Sequence, residues 1–277
     1  MEGYESTEGE PANKAAPASP PPQPPGPPTG HGGKGLDQRG PRAAIIIDDL
    51  GNSRRHASVV SELSYPVAVA VLPQTPHAAQ TARQAHASGK EVLLHMPMEP
   101  GDSGVRLDGS FLRAGMGREH LLATLRSNLA GIPHVQGVNN HMGSRLTARS
   151  RPMRWVMEAL DRRGLYFIDS RTTAATKGLK EARAAGLPAA ERDVFLDHDP
   201  AEEAVREQFR TMLTQAREQG TALAIAHPHP VTLKVLREML PQASRRGVEI
   251  VPLREVVAVR SGQAAKGGSL AYKGSDN

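Results

Sequence analysis

From residue 43 onward the chain alternates between short, continuous apolar runs and longer amphipathic stretches. The runs at 43–47, 67–72, 91–94, 137–140, 166–169, 194–196, 223–226 and 249–252 are rich in Val, Ile, Leu and Ala. Apolar character that is continuous rather than alternating marks strands buried on both faces, as in a parallel sheet or barrel. Helical periodicity covers 53–63, 75–88, 118–129, 151–163, 201–219 and 231–246, and a glycine closes four of these at 89, 164, 220 and 247. At 75–88 the pair Thr75-Pro76 reads as a cap with proline at the first helical position. Strand and helix recur every 25 to 35 residues or so, the signature of βα units. The expected architecture is therefore α/β, with seven or eight strands that close into a TIM-like barrel or stay partly open, a choice the pattern alone leaves undecided.

The first 42 residues break this rhythm. They hold 10 of the 23 prolines and 8 of the 27 glycines, with few large apolar side chains. Such a segment buries too little surface to offset the entropy of ordering it, so 1–42 is expected to be a disordered Pro/Gly-rich leash, available for a partner. Residues 259–277 read as a disordered tail, leaving 43–258 as one domain. The start, Met1-Glu2-Gly3-Tyr4-Glu5, lacks the basic and apolar regions of a secretory leader, and no apolar run is long enough to cross a membrane.

Charge and composition narrow the function classes. The net charge of +5 is spread along the chain, and aromatics make up only 3% of residues. With neither a basic stripe nor a stacking platform, nucleic acid is not an expected partner. The absence of cysteine removes disulfides and thiolate metal sites.

The polar inventory at the strand ends changes the picture most. In parallel α/β proteins the active site lies at the carboxyl ends of the strands. Here those ends carry Asp48-Asp49, His95 with Glu99, Asn139-Asn140-His141, Asp169-Ser170-Arg171, Asp197-His198-Asp199 and His227-Pro228-His229. Taken singly, an Asp after a strand reads equally as a helix cap and a His beside proline as a loop anchor. Together they face one crevice, where several carboxylates and imidazoles imply a cation or chemistry. Successive side chains diverge at a strand end, so one member of Asp48-Asp49 can ligate metal while the other remains a free base. With two imidazoles this makes a two-His, one-carboxylate set, suited to zinc and equally to other divalent metals.

The segments Ile45-Ile46-Ile47-Asp48-Asp49-Leu50-Gly51, Leu94-His95-Met96-Pro97-Met98-Glu99-Pro100, Gly137-Val138-Asn139-Asn140-His141-Met142-Gly143-Ser144, Phe167-Ile168-Asp169-Ser170-Arg171-Thr172 and Ala226-His227-Pro228 resemble the divergent polysaccharide deacetylase family, an offshoot of the NodB-like carbohydrate esterases. The resemblance covers about 43–258 and implies an α/β fold built as a distorted, NodB-like (β/α) barrel of about seven strands. It also implies a metal-dependent hydrolase that removes acetyl groups from a cell-envelope glycan or peptidoglycan fragment, in the periplasm or envelope. It implies Asp48 as catalytic base, Asp49, His95 and His141 as ligands of a divalent metal (zinc foremost), and His227 as general acid. Asn140, Asp169, Arg171 and Glu99 are the accompanying candidates for substrate contact. The superfamily's second motif has two His separated by three residues, whereas His95 is followed at that spacing by Glu99. Either Glu99 replaces a ligand or His141 supplies it. The superfamily's Arg motif after the fourth strand is replaced by Asn139-Asn140-His141, with Arg171 as a source of charge from the next strand. Two other classes stand beside the enzyme: a non-catalytic metal- or glycan-binding envelope protein on a decayed esterase scaffold, and a metal-free α/β hydrolase. The last lacks a Gly-x-Ser-x-Gly elbow.

Overall fold

The computed structural model describes residues 40–102 and 104–262. The expected leash, apart from its last residues, and most of the expected tail lie outside them. The folded part begins at Arg42 and its last helix runs to Arg260, so each end reaches slightly beyond 43–258.

Nine strands and eight α-helices follow in the order β1 (Arg42–Leu50), α1 (Arg54–Ser61), β2 (Ala68–Val71), α2 (Ala78–Ala87), β3 (Glu91–Met98), α3 (Arg118–Ala130), β4 (Val135–Met142), α4 (Ser150–Asp161), β5 (Tyr166–Asp169), α5 (Gly178–Ala184), β6 (Ala189–Glu191), β7 (Val194–Phe195), α6 (Glu202–Gln219), β8 (Thr221–Ala226), α7 (Pro230–Ala243), β9 (Glu249–Ile250) and α8 (Leu253–Arg260). Every pairing is parallel, in the order β6-β5-β4-β3-β2-β1-β8-β7, with β9 added to the start of β1. The two edge strands, β6 and β7, are joined by only Arg192 and Asp193. The Arg192 N–H donates to Asp169 O of β5 at 3.0 Å and the Asp193 N–H to Leu223 O of β8 at 2.8 Å. A link that bonds both ends of the sheet forces it to curl on itself, giving the distorted barrel expected, with eight strands around it and β9 added to β1.

Side-chain parity then fixes what faces inward. Ala44, Ile46, Ala68, Ala70, Leu93, Ile168, Ala190, Leu223 and Ile225 fill the interior, which Val256 and Val257 of α8 plug from the amino-terminal end. Ala43, Ile45, Ile47, Val69, Val92 and Leu94 point outward into the helix layer. The small interior residues suit a narrow barrel. At Gly137 a Cβ would lie 2.2 Å from the Tyr166 ring, so only glycine lets that inward tyrosine cross beneath β4.

Strand positions follow the sequence pattern, but β3 and β4 extend further than their apolar runs. His95 and His141 lie within strands rather than after them. The short, alanine-rich β6 and the helices α5 and α8 have no counterpart in the apolar pattern. Thr75 does not cap α2: its hydroxyl donates to Leu72 O at 2.9 Å, and the helix starts three residues later, at Ala78.

Candidate functional site

Inward parity carries straight from the interior to the carboxyl-terminal rim. Two residues beyond Ile46 is Asp48, two beyond Leu93 is His95, two beyond Ile168 is Ser170, and two beyond Ile225 is His227. On β4 the inward residue paired with His95 is Asn139, and His141 lies two further along the same face. Asp49 is the exception, because a strict alternation would turn it outward. The β1–β2 register shifts between Ile47 and Leu50, and Asp49 sits at φ 57°, in the left-handed region. This bulge brings the second carboxylate back over the barrel mouth beside the first. The divergence expected of neighbouring strand residues is therefore cancelled.

Three donor atoms crowd together there. His141 Nδ1 lies 3.0 Å from Asp49 Oδ1, His95 Nε2 lies 3.2 Å from the same oxygen, and the two nitrogens are 3.1 Å apart. Although both imidazoles are so close, Asp49 Oδ1 is buried without an aligned hydrogen bond among the described residues. Ligands held at about 2.0–2.1 Å by one tetrahedral ion sit roughly 3.3 Å from each other, so the spacing and the orphaned oxygen both fit a shared divalent metal. The two-nitrogen, one-oxygen set leaves coordination positions open.

The protonation pattern agrees. Burial raises the proton affinity of Asp49, but the imidazoles of His141 and His95 outweigh it and hold the carboxyl well below its usual range. Burial opposes charge on His95, yet Asp48 and Asp49 prevail and raise its pKa. The site thus draws a positive charge between its carboxylates, which is what a cation would supply.

Around this triad are residues that orient it. Asn139, fully buried, faces His95 Nδ1 with its Oδ1 at 3.0 Å and donates from Nδ2 to Asp48 Oδ1 at 2.9 Å. A ring that gives its Nδ1–H to Asn139 presents the Nε2 lone pair to the metal position. Asp48 lies 3.6 Å from His95 Nε2, and burial raises its pKa despite the opposing charges of His95 and His227. Opposite, His227 Nδ1 meets Asp197 Oδ1 at 3.1 Å, while Asp197 Oδ2 accepts from the His227 N–H at 2.7 Å and the Thr232 hydroxyl at 2.9 Å. Burial works against protonation of His227, but the Asp197 hydrogen bond and the Asp48 charge overcome it and lift its pKa to about 9. Its Nε2 faces Asp49 Oδ2 at 3.7 Å. Asp197, His227 and His229 also offer closely spaced donor atoms, but the two Asp197 oxygens already accept three hydrogen bonds. We read that group as a carboxylate–imidazole dyad.

The remaining sequence candidates are placed differently. Glu99 stands outside the triad: its Oε2 accepts the Ala114 N–H at 2.6 Å and its Oε1 lies 3.4 Å from Arg145 Nε, tying two loops together. Asn140 uses its amide on backbone, donating to Met142 O at 2.7 Å and accepting the Ser170 N–H at 2.9 Å. Asp169 is fully buried and accepts from Arg171 N, Thr176 Oγ1 and Leu179 N. Arg171 pairs with Glu191 at 3.0 Å on the rim. None of these four is drawn into the donor cluster. The half-buried cation behind the site is Arg192, whose Nε donates to Ser170 O at 2.8 Å; burial and the neighbouring Arg171 lower its pKa against the favourable charges of Asp169, Asp193 and Asp48. Asn139, Asp197 in its paired role, and Arg192 are the residues that sequence reading missed. Counting inward parity from Leu93 through His95 to its partner on β4 would have reached Asn139.

The family model for divergent polysaccharide deacetylase matches residues 45–257. Escherichia coli (strain K12) YibQ, itself uncharacterized, is 40% identical over 199 residues, which are 72% of this chain and 62% of that protein. The chain thus spans less than two thirds of that relative's length. Among solved structures, the uncharacterized protein ATU2773 of Agrobacterium tumefaciens C58 has a TM-score of 0.75 at 27% identity, covering 80% of this chain and 89% of that one. A mutant of BA3943, a CE4 family pseudoenzyme from Bacillus anthracis with restored enzymatic activity, shares the fold at a TM-score of 0.50 and 14% identity, over 79% of this chain and 68% of that one. With its barrel, its ordered motifs and a match over most of its length, the chain belongs to the divergent polysaccharide deacetylase family.

Proposed function

We propose that the protein is a metal-dependent hydrolase that removes acetyl groups from a glycan of the cell envelope. One observation carries this reading: a compact Asp49–His95–His141 donor set lies between a buried carboxylate, Asp48, and an aspartate-backed imidazole, His227. A divalent metal, zinc foremost, held by those three donors would polarise the acetyl carbonyl and acidify a neighbouring water. Asp48 is the base: burial strengthens its hold on a proton, and the Asn139 amide fixes its orientation. His227 is the acid. With its pKa near 9 it carries a proton at neutral pH, and Asp197 on Nδ1 leaves Nε2 to deliver that proton to the departing amine or alcohol. The two groups have opposite tasks: burial prevails at Asp48 and raises its pKa, while at His227 the Asp197 hydrogen bond and the neighbouring carboxylates overcome burial and stabilise the cation.

The test is acetate release from acetylated glucosamine oligomers and peptidoglycan fragments, with and without added metal. Asp48→Asn should lower turnover by roughly 10²–10⁴-fold, the usual contribution of a positioned base, while metal content stays unchanged. Metal-loaded protein that releases no acetate across the panel would leave a binding protein on the same scaffold and end the hydrolytic reading.

A further inference from the structure

A cavity of about 490 Å³ opens on the His227 side of the metal donors, in the size range of small-molecule sites. A general acid must reach the atom it protonates, so the leaving portion of a substrate, the sugar itself, lies on this side. The wall of the cavity has a definite chemistry. Of its two carboxylates, Asp49 belongs to the proposed metal donor set with His95 and His141, and Asp197 accepts from His227 and Thr232. What remains is three imidazoles that the proposed reaction does not use: His56 of α1, His198 after β7 and His229 at the start of α7. The Phe195 ring lies 5.9 Å from that of His198 and 5.3 Å from that of His227, and the Arg192 guanidinium lies 5.2 Å from the same phenyl. Both α1 and α7 begin at this cavity, and neither carries an acidic residue in its first turn, so their partial positive ends add to the same field. Imidazoles from three separate elements, a cation nearby, and carboxylates taken up by the proposed metal site and by His227 make a surface complementary to negative charge.

We propose that this cavity is a subsite for an anionic substituent, a carboxylate or phosphate carried by the leaving sugar, with His198 and His229 as its principal contacts and His56 on the far wall. The proposal rests on the deacetylase reading for its direction, and on the cavity for its chemistry. Phe195 would lie against the sugar ring, which supplies one aromatic face in a chain with few.

The test uses three acetylated sugars matched except for charge: N-acetylglucosamine, its carboxylate-bearing lactyl ether N-acetylmuramic acid, and N-acetylglucosamine 6-phosphate. At least one anionic sugar should show a kcat/KM about tenfold or more above the neutral one, as a charged hydrogen bond affords. The arm that responds identifies the source of the charge. The double variant His198→Asn/His229→Asn should remove that preference through KM, the kcat/KM of the anionic sugar falling to that of the neutral one. Equal kcat/KM for all three sugars, or a double variant that affects neutral and anionic substrates alike, would overturn the subsite. Calorimetry on Asp48→Asn protein, with and without the two His substitutions, separates the two claims. If no sugar releases acetate, the hydrolytic reading falls. The subsite then stands if anionic sugars bind selectively and lose that binding in the His variants, and falls if they do not.

Discussion

The two ends of this barrel each bury a carboxylate whose pKa is raised by desolvation, yet they treat it in opposite ways. At the amino-terminal end Glu91 is fully answered: the Tyr166 hydroxyl donates to it at 2.8 Å, the Arg254 N–H at 3.1 Å, and the Arg254 guanidinium lies at 3.3 Å. At the carboxyl-terminal end Asp48 and Asp49 face three imidazoles, and Asp49 Oδ1 has no aligned partner. A satisfied buried network holds a structure together, whereas one left with an open acceptor is arranged for something that arrives later. Burial and the raised pKa shared by Glu91 and Asp48 would not tell these ends apart; the Asp49 oxygen left without an aligned partner among the described residues does.

The largest effect that would sharpen this contrast comes from Asn139, which links Asp48, the proposed base, to His95, a proposed ligand. Removing a group that orients a metal-bound histidine lowers metal affinity by about 10–100-fold, so Asn139→Ala should weaken zinc binding by that factor in a competition titration. Its thermal stability in metal-free form should change far less. Unaltered affinity would mean that His95 is oriented by packing alone.

Much of the architecture was legible in the sequence because continuous apolar runs and closing glycines are direct consequences of a buried parallel sheet. The elements that escaped are those with little apolar contrast, such as the Ala189–Glu191 strand, and those set by long-range pairing. Asp48 and Asp49 were visible as a pair, but not their convergence, since that depends on a left-handed residue at the bulge and alternation predicts the reverse. Asp197 reads locally as a cap for the helix that follows. It is Asp199 that accepts the Ala201 N–H at 2.9 Å in that role, while Asp197 reaches His227, 30 residues away. Asn139 was overlooked because it does not titrate, although its amide touches both His95 and Asp48.

An intermediate effect concerns that Asp197–His227 pair. In the proposed reaction the protonated imidazole of His227 is the active form, so activity should decline as pH rises through about 9. Asp197→Asn removes the hydrogen bond and charge that lift the pKa, and the alkaline limb of the kcat/KM profile should move toward lower pH. A limb that stays in place would assign the proton to another group.

The smallest effect tests the amino-terminal end. Burial raises the pKa of Glu91 above its ordinary value near 4.5, so the folded protein holds that proton more tightly than the unfolded chain. The stability linked to this group is fully present below that value and is lost as pH rises through the folded-state pKa. Glu91→Gln keeps the shape and an acceptor while removing the charge, so the variant should gain on the wild type by a few degrees in Tm as pH rises above about 4.5. Asp49→Asn makes the useful control: it should abolish metal binding at the other end of the barrel. If Glu91→Gln instead loses ground as pH rises, the ionised carboxylate and Arg254 form a net stabilising pair, and the two ends differ in sign as well as in satisfaction.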